Sequence, residues 1–230
     1  MAATRRLIEM AHVTNGQRVL EVGCGVGATV AYLDKSVGCR VIGVDLLEGM
    51  VQQARKRVDG VHDRIGLAAA DARRLPFRDG CFDAVIMESV NVFFTDKRKA
   101  MGEYVRVTKP GGYVGITEMT WLEPPTPEIE AYYKRTVYAK ALEAERWRNL
   151  LREAGLNNVS GSAQPVDMSQ EARGRIGRYG CRGMLRVLAR TLGLLFKDRE
   201  TRRFLTDVTS SLPRDLMRNI GYGVYVGRKG

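Results

Sequence analysis

The run Val19-Leu20-Glu21-Val22-Gly23-Cys24-Gly25-Val26-Gly27-Ala28-Thr29 constrains this chain more than any other stretch of it. An apolar, β-branched segment leads into three glycines spaced two apart, and a helical apolar pattern follows. Such a strand-to-helix turn needs glycine, because a residue without a Cβ lets backbone approach a ligand closely and adopts positive φ without strain. The expected local structure is a buried strand at 18–22, a glycine turn, and a helix over 26–35.

The same alternation continues downstream. Runs at 40–44, 65–69, 82–87 and 113–118 have the composition of buried strands, and 47–58 and 97–108 carry apolar residues at three- and four-residue intervals. Lys109-Pro110-Gly111-Gly112 stops the last of these helices, since proline cannot continue it and paired glycines permit a turn. Beyond a rigid connector at 121–127, helices are expected over 128–144 and 145–154, then an edge strand at 159–163 and a returning strand at 222–226. The prediction is an α/β fold with a doubly wound, mostly parallel, seven-stranded sheet covered on both faces. Its core spans 1–164, a helical cap fills 165–219, and 220–230 returns the last strand to the sheet.

The glycines alone leave two ligands open. Gly23, Gly25 and Ala28 satisfy the dinucleotide pattern G-x-G-x-x-A, and Asp45 lies near the spacing of a ribose contact, which suits an NAD(P)-dependent oxidoreductase. Glu21, two residues before Gly23, argues for something else: a negative group there suits a cationic ammonium, which nicotinamide cofactors do not offer at that place. Asp45 closes the second strand, where its carboxylate can accept two ribose hydroxyls. Asp71 follows the third strand, placed to meet an adenine amino group.

Taken in order, VLEVGCGVGAT, GVDLLEGM, AADARRLPFRDGCFDAVIMES and the KPGG turn, over roughly residues 18–118, resemble the class I S-adenosylmethionine methyltransferases, particularly the broad group that includes ubiquinone and menaquinone C-methyltransferases. The resemblance implies a Rossmann-like core, S-adenosyl-L-methionine as cofactor, and in-line methyl transfer to a small-molecule or lipid- or quinone-like acceptor. It implies methionine-moiety contact by Glu21 and the loop residues Gly23, Cys24, Gly25 and Gly27, ribose contact by Asp45, and adenine contact by Leu46, Asp71 and Ala72. Glu88 and Ser89 would border the transferring methyl. Purely structural roles stay open for Glu21, as a strand-end carboxylate bonded to local amides, for Asp45, which suits a helix cap, for Asp71 as a turn residue, and for Glu88. No residue is assigned as catalytic; Glu88 and Glu118 are the nearest carboxylates by strand topology if the acceptor must lose a proton.

Other chemistries find little material. Cys24, Cys39, Cys81 and Cys181 lie far apart and His12 and His62 are the only histidines, so no metal site is expected. The first eleven residues lack the apolar centre of a secretory signal, and 183–196 is too short and too charged to span a bilayer, which suggests a cytoplasmic protein. The fourth strand ends in Met87-Glu88-Ser89-Val90 rather than the Asn/Asp-Pro-Pro-Tyr of enzymes that methylate base amines, so DNA is not an expected partner.

Charge is uneven. Of the net +11, residues 165–230 supply +8, with 14 basic against 6 acidic side chains. An RNA-directed methyltransferase is the weaker alternative this allows. Within 182–196, Arg182, Arg186 and Arg190 recur on one helical face and Leu185, Leu188, Leu192 and Leu195 on another, a pattern that suits packing on the core or peripheral contact with an anionic membrane. Trp121, Tyr132, Tyr133 and Tyr138 either line an acceptor pocket or fasten covering helices to the sheet. The oligomeric state and the acceptor compound are left open.

Overall fold

The computed structural model describes residues 2–58, 63–136, 139–166, 193, 198–210, 212–213 and 216–230. In chain order the described elements are α1 (Ala2–Met10), β1 (Arg18–Val22), α2 (Ala28–Tyr32) running into a π turn (Leu33–Val37), β2 (Arg40–Asp45), α3 (Glu48–Arg57), β3 (Ile65–Ala69), β4 (Phe82–Glu88), a 3-10 turn (Asn91–Phe93), α4 (Lys97–Val107), β5 (Thr108–Trp121), α5 (Pro127–Thr136), β6 (Leu142–Glu143), α6 (Ala144–Glu153), β7 (Leu156–Pro165), α7 (Arg199–Ser210), α8 (Leu216–Asn219) and β8 (Ile220–Lys229).

The sheet runs β3-β2-β1-β4-β5-β8-β7. The first five strands are parallel, and β8 enters antiparallel between β5 and β7. The doubly wound, mostly parallel α/β sheet is therefore present with all seven expected strands. An eighth, the two-residue β6, pairs with the far end of β5 at Thr120 and Trp121.

Strand alternation sorts side chains onto two faces. Val19, Val41, Ala84 and Ile86 pack with Leu7, Ile8, Val30 and Leu33 on one side; Leu20, Val22, Val85, Met87, Val114 and Ile116 pack with Tyr104, Trp147 and Leu151 on the other. Both faces are covered, which is why the parallel strands are almost continuously apolar. Trp147 is fully buried, and its indole Nε1 donates to the Met119 carbonyl at 3.2 Å, so the large apolar ring leaves no polar atom unpaired there.

Three expectations change. Helix α1 has no counterpart in the sequence pattern; Leu7 and Ile8 seat it against the sheet, with Leu7 filling the space over Gly115. The helix expected over 128–144 ends at Thr136, and the chain reaches α6 through β6. The KPGG segment is counted inside β5, but the register jumps from Phe82↔Thr108 to Ala84↔Tyr113, so residues 109–112 stand out of the ladder as a bulge. Gly112 is required there, because a Cβ would sit 2.6 Å from the Asp83 carbonyl oxygen. Most of the 165–219 segment, including all of the basic stretch 182–196 but residue 193, lies outside the described residues.

Candidate functional site

The carboxyl ends of β1, β2 and β4 meet where the strand order reverses, on either side of β1. That crevice is where open α/β sheets bind ligands. β1 hands over to the glycine loop through two bonds, Gly23 N and Cys24 N both donating to the Val44 carbonyl at 2.7 and 2.9 Å. Gly23, Gly25 and Gly27 hold φ of 73°, 51° and 75°. They differ in what a Cβ would meet. At Gly23 it would lie 2.3 Å from Val90 Cγ2 and at Gly27 2.9 Å from Ala54 Cβ, whereas at Gly25 nothing lies within 4 Å. Packing thus accounts for two of the glycines, and the third presents bare backbone to open space.

Asp45, at the tip of β2, holds this loop from the side. Its Oδ2 accepts from Gly25 N at 2.9 Å and its Oδ1 from Leu47 N at 3.0 Å. Its own carbonyl accepts from Ala70 N at 2.9 Å, joining the end of β2 to the segment after β3. The N-cap of α3 is Leu47, without a side-chain cap, so Asp45 links two loops rather than capping a helix.

Glu21 and Glu88 project on the face that α1 and α2 cover. Glu21 is 4% exposed and its Oε2 has no hydrogen-bond partner. Burial first, and the neighbouring Glu88 charge second, push its carboxyl well above the usual range, with the Val30 N–H pulling the other way. Glu88 is clamped at both oxygens: Thr29 Oγ1 donates to Oε1 at 2.9 Å and Thr4 Oγ1 to Oε2 at 2.8 Å. Sequence reasoning missed both threonines. Thr29 sat unremarked within the glycine motif, and Thr4 arrives from 84 residues away on a helix the pattern did not show. Beside them Cys24 is buried, and desolvation, then Glu21 and Asp45, push its thiol up to about 12.

Glu118 lies on the opposite face of the sheet and is fully buried. Its Oε1 accepts from Val90 N at 3.1 Å, Asn91 N at 2.7 Å and Asn91 Nδ2 at 2.8 Å, while Oε2 has no partner. Burial pushes its carboxyl up to about 7 against those bonds. A group so enclosed does not reach an acceptor, which removes one of the two carboxylates that strand topology offered as a base.

Asp71 follows β3 at the rim. Arg73 binds it through the backbone N–H at 2.8 Å and the guanidinium at 2.7 to 3.2 Å, and these bonds hold its carboxyl down to about 2. Ala72 is buried next to it, whereas Leu46, at 65%, and Phe93, at 59%, stand exposed at neighbouring strand tips. Ser89 takes a left-handed φ of 57° as the chain leaves β4. The structure thus joins Glu21, Glu88, Asp45 and the glycine loop in one neighbourhood, with Leu46, Asp71 and Ala72 at its edge. Trp121, Tyr132 and Tyr133 are buried together with Ile129, Leu216 and Ile220, Trp121 and Tyr133 meeting edge to face at 5.0 Å. They fasten α5 to the end of β5; Tyr138 lies outside the described residues. Among the described residues no cluster of three or more His, Cys, Asp or Glu side chains suits a metal ion, and no helix is long and apolar enough to cross a membrane.

Comparison with known proteins bears on this geometry. A family model described as "Methyltransferase domain" matches residues 20–116. The chain is 30% identical over 216 residues to an uncharacterized protein of Haemophilus influenzae, covering 89% of this chain and 83% of that one. It is 37% identical over 142 residues to a demethylmenaquinone methyltransferase of Clavibacter sepedonicus, covering 62% of this chain and 54%, about half, of the relative. Among solved structures, phosphoethanolamine N-methyltransferase 2 of Haemonchus contortus, in complex with S-adenosyl-L-methionine, superposes with a TM-score of 0.76 at 21% identity over 99% of this chain and 52% of that one.

Proposed function

The chain belongs to the class I S-adenosylmethionine-dependent methyltransferases, and we propose that it moves the cofactor's methyl group in line onto a small-molecule acceptor of quinone- or lipid-like character. One observation carries the cofactor's placement: an enclosed carboxylate with an unpartnered oxygen, Glu21, lies below a glycine turn whose Gly25 backbone opens on empty space, with Asp45 at its flank. This donor set fits a ligand that is cationic at one end and hydroxylated in its middle. A buried unpaired carboxylate oxygen is costly unless something positive or protic meets it.

S-adenosyl-L-methionine supplies an electrophilic methyl on a sulfonium leaving group, so the protein's task is mainly geometric. Glu21 and the loop residues Gly23, Cys24, Gly25 and Gly27 hold the methionine end. Asp45 has lone pairs left beyond its two backbone bonds and accepts the ribose hydroxyls. Leu46 and Ala72 flank the adenine with Asp71 at its edge. Glu88, immobilised by Thr4 and Thr29, places a fixed negative charge at the end of β4, where cationic charge is favoured. Positioning of this kind supplies ~7 to 11 kcal/mol in favourable cases. No base is assigned, since Glu88 has both oxygens engaged and Glu118 is buried.

The acceptor class is supported by the similarity to the demethylmenaquinone methyltransferase, and 165–219 is proposed to form the cap on the acceptor side. The oxidoreductase and RNA-directed readings gain no support from the relatives.

Calorimetric titration with S-adenosylhomocysteine tests the cofactor site: saturable binding is expected, weakened at least tenfold, ~1.4 kcal/mol, by Asp45→Ala. Absent heat together with an unchanged melting temperature would refute the assignment. Transfer of labelled methyl from the cofactor to demethylated quinones, to phosphoethanolamine and to RNA then ranks the acceptors. Transfer to RNA alone would overturn the small-molecule reading.

A further inference from the structure

Glu118 is a buried carboxylate beside the site that the proposed chemistry does not use. We infer that it is a positioning residue for the cofactor site, holding the turn at 89–91 so that Val90 stays seated against Gly23. The inference rests on the functional reading above, in which the glycine loop carries the cofactor.

The chain of contacts is continuous. Three N–H groups from two successive residues converge on the single oxygen Oε1, and the second oxygen has no partner. A carboxylate kept only for packing would be replaced by an apolar side chain without loss; one that gathers three donors defines where those donors lie. The turn needs such a fixture because Ser89 leaves β4 with a left-handed φ of 57°, unusual for a residue with a Cβ. Ser89 N donates to the Thr117 carbonyl at 2.7 Å, and Asn91 Oδ1 accepts from Tyr104 at 3.1 Å, so the turn is tied to β5 and α4 on either side of Glu118. Its outer end is Val90, whose Cγ2 fills the space beside Gly23 that a Cβ would need. A shift of the turn therefore becomes a shift at the first glycine of the loop. Glu118 works from the far face of the sheet and touches no ligand.

The test compares S-adenosylhomocysteine affinity, by calorimetry, in the unmodified protein and in Glu118→Ala, Glu118→Gln and Val90→Ala. Loss of charge-assisted bonds in the alanine variant is expected to weaken binding by about tenfold or more. The glutamine variant, whose amide oxygen receives the same N–H groups, stays within about threefold. Val90→Ala leaves every bond to Glu118 intact and still weakens binding several-fold. Lys109→Met, which removes an ion pair to Asp83 at the opposite end of β4 from the turn, lowers thermal stability without changing affinity.

Unchanged affinity in a folded Glu118→Ala protein overturns the inference. If that variant does not fold, Val90→Ala decides, and unchanged affinity there overturns it. Failure of the unmodified protein to bind S-adenosylhomocysteine overturns the functional reading and this inference with it.

Discussion

Alanine at Gly25 and alanine at Gly23 should separate the two jobs that the glycine loop performs. Both positions lie in the left-handed region, at φ of 51° and 73°. A Cβ there costs about 1 to 2 kcal/mol, which for a chain of this size lowers the melting temperature by about 2 to 8 °C. At Gly25 nothing else is added, because the new methyl meets no protein atom within 4 Å. At Gly23 it lands 2.3 Å from Val90 Cγ2, and the overpacking adds roughly 1 to 3 kcal/mol. Gly25→Ala should therefore melt only slightly early yet bind S-adenosylhomocysteine at least tenfold more weakly, its methyl occupying space meant for ligand. Gly23→Ala should be the less stable of the two by several degrees. Thermal melts followed by circular dichroism, paired with calorimetric titration, read both quantities. Native affinity in Gly25→Ala would refute the idea that this stretch of backbone faces the cofactor. A Gly23→Ala protein as stable as Gly25→Ala would refute the seating of Val90.

Other outcomes follow from the buried carboxylates and the helix over them. Glu118 titrates near 7 when folded against 4.5 as its ordinary value; its raised value means the folded state prefers the proton, so this stabilising contribution is full below pH 4.5 and is lost as pH rises to about 7, a change of roughly 3 kcal/mol. Tyr104 and Lys97 are titratable groups that sense it from α4, and urea denaturation at pH 5 and pH 8 should show a larger loss in the unmodified protein than in Glu118→Gln, where the raised carboxyl of Glu21 still contributes; equal pH dependence in both would contradict it. Thr4→Val removes one donor to Glu88 and should cost about 1 kcal/mol while speeding amide exchange in residues 2–10, measured by deuterium uptake. Unaltered uptake would show that α1 does not depend on that bond. Cys24 and Cys39 are buried, with thiols pushed up to about 12 and about 11, whereas Cys81 is half-buried; iodoacetamide at pH 8 should label Cys81 ahead of Cys24 and Cys39, and peptide mapping that found Cys24 labelled before Cys81 would count against the burial described.

What the sequence disclosed was whatever lies close along the chain. β1 and β3 begin and end at the residues their composition picked out, because both faces of a parallel strand demand apolar side chains and the turns on either side are rich in glycine and charge. The glycine loop, Glu21 and Asp45 were legible for the same reason: each sits at the tip of a strand that the pattern locates. The rest depends on partners distant in sequence. That Glu88 is clamped by Thr4, that Val90 stands where Gly23 lacks a Cβ, and that Glu118 lies on the face of the sheet opposite Glu21 are facts of packing between segments that no local periodicity encodes. The short helix α1 escaped for a related reason, since its fit to the sheet is set by Leu7 above Gly115. The helix expected to reach residue 144 stops at Thr136 because β5 runs on to Trp121 and offers its edge to Leu142 and Glu143.

The placement of β8 has a temporal consequence. Each of its edges is spoken for, by β5 on one side and β7 on the other, so residues 156–165 have no strand to pair with until residues 220–229 have left the ribosome and threaded into the gap. During synthesis the parallel half, β1 through β5, is complete more than a hundred residues earlier, and the open flank of β5 must wait in solvent as an unpaired border prone to wrong partners. Nascent chains halted just before residue 220 should thus protect the amides of β1 and β4 while leaving those of β7 free to exchange.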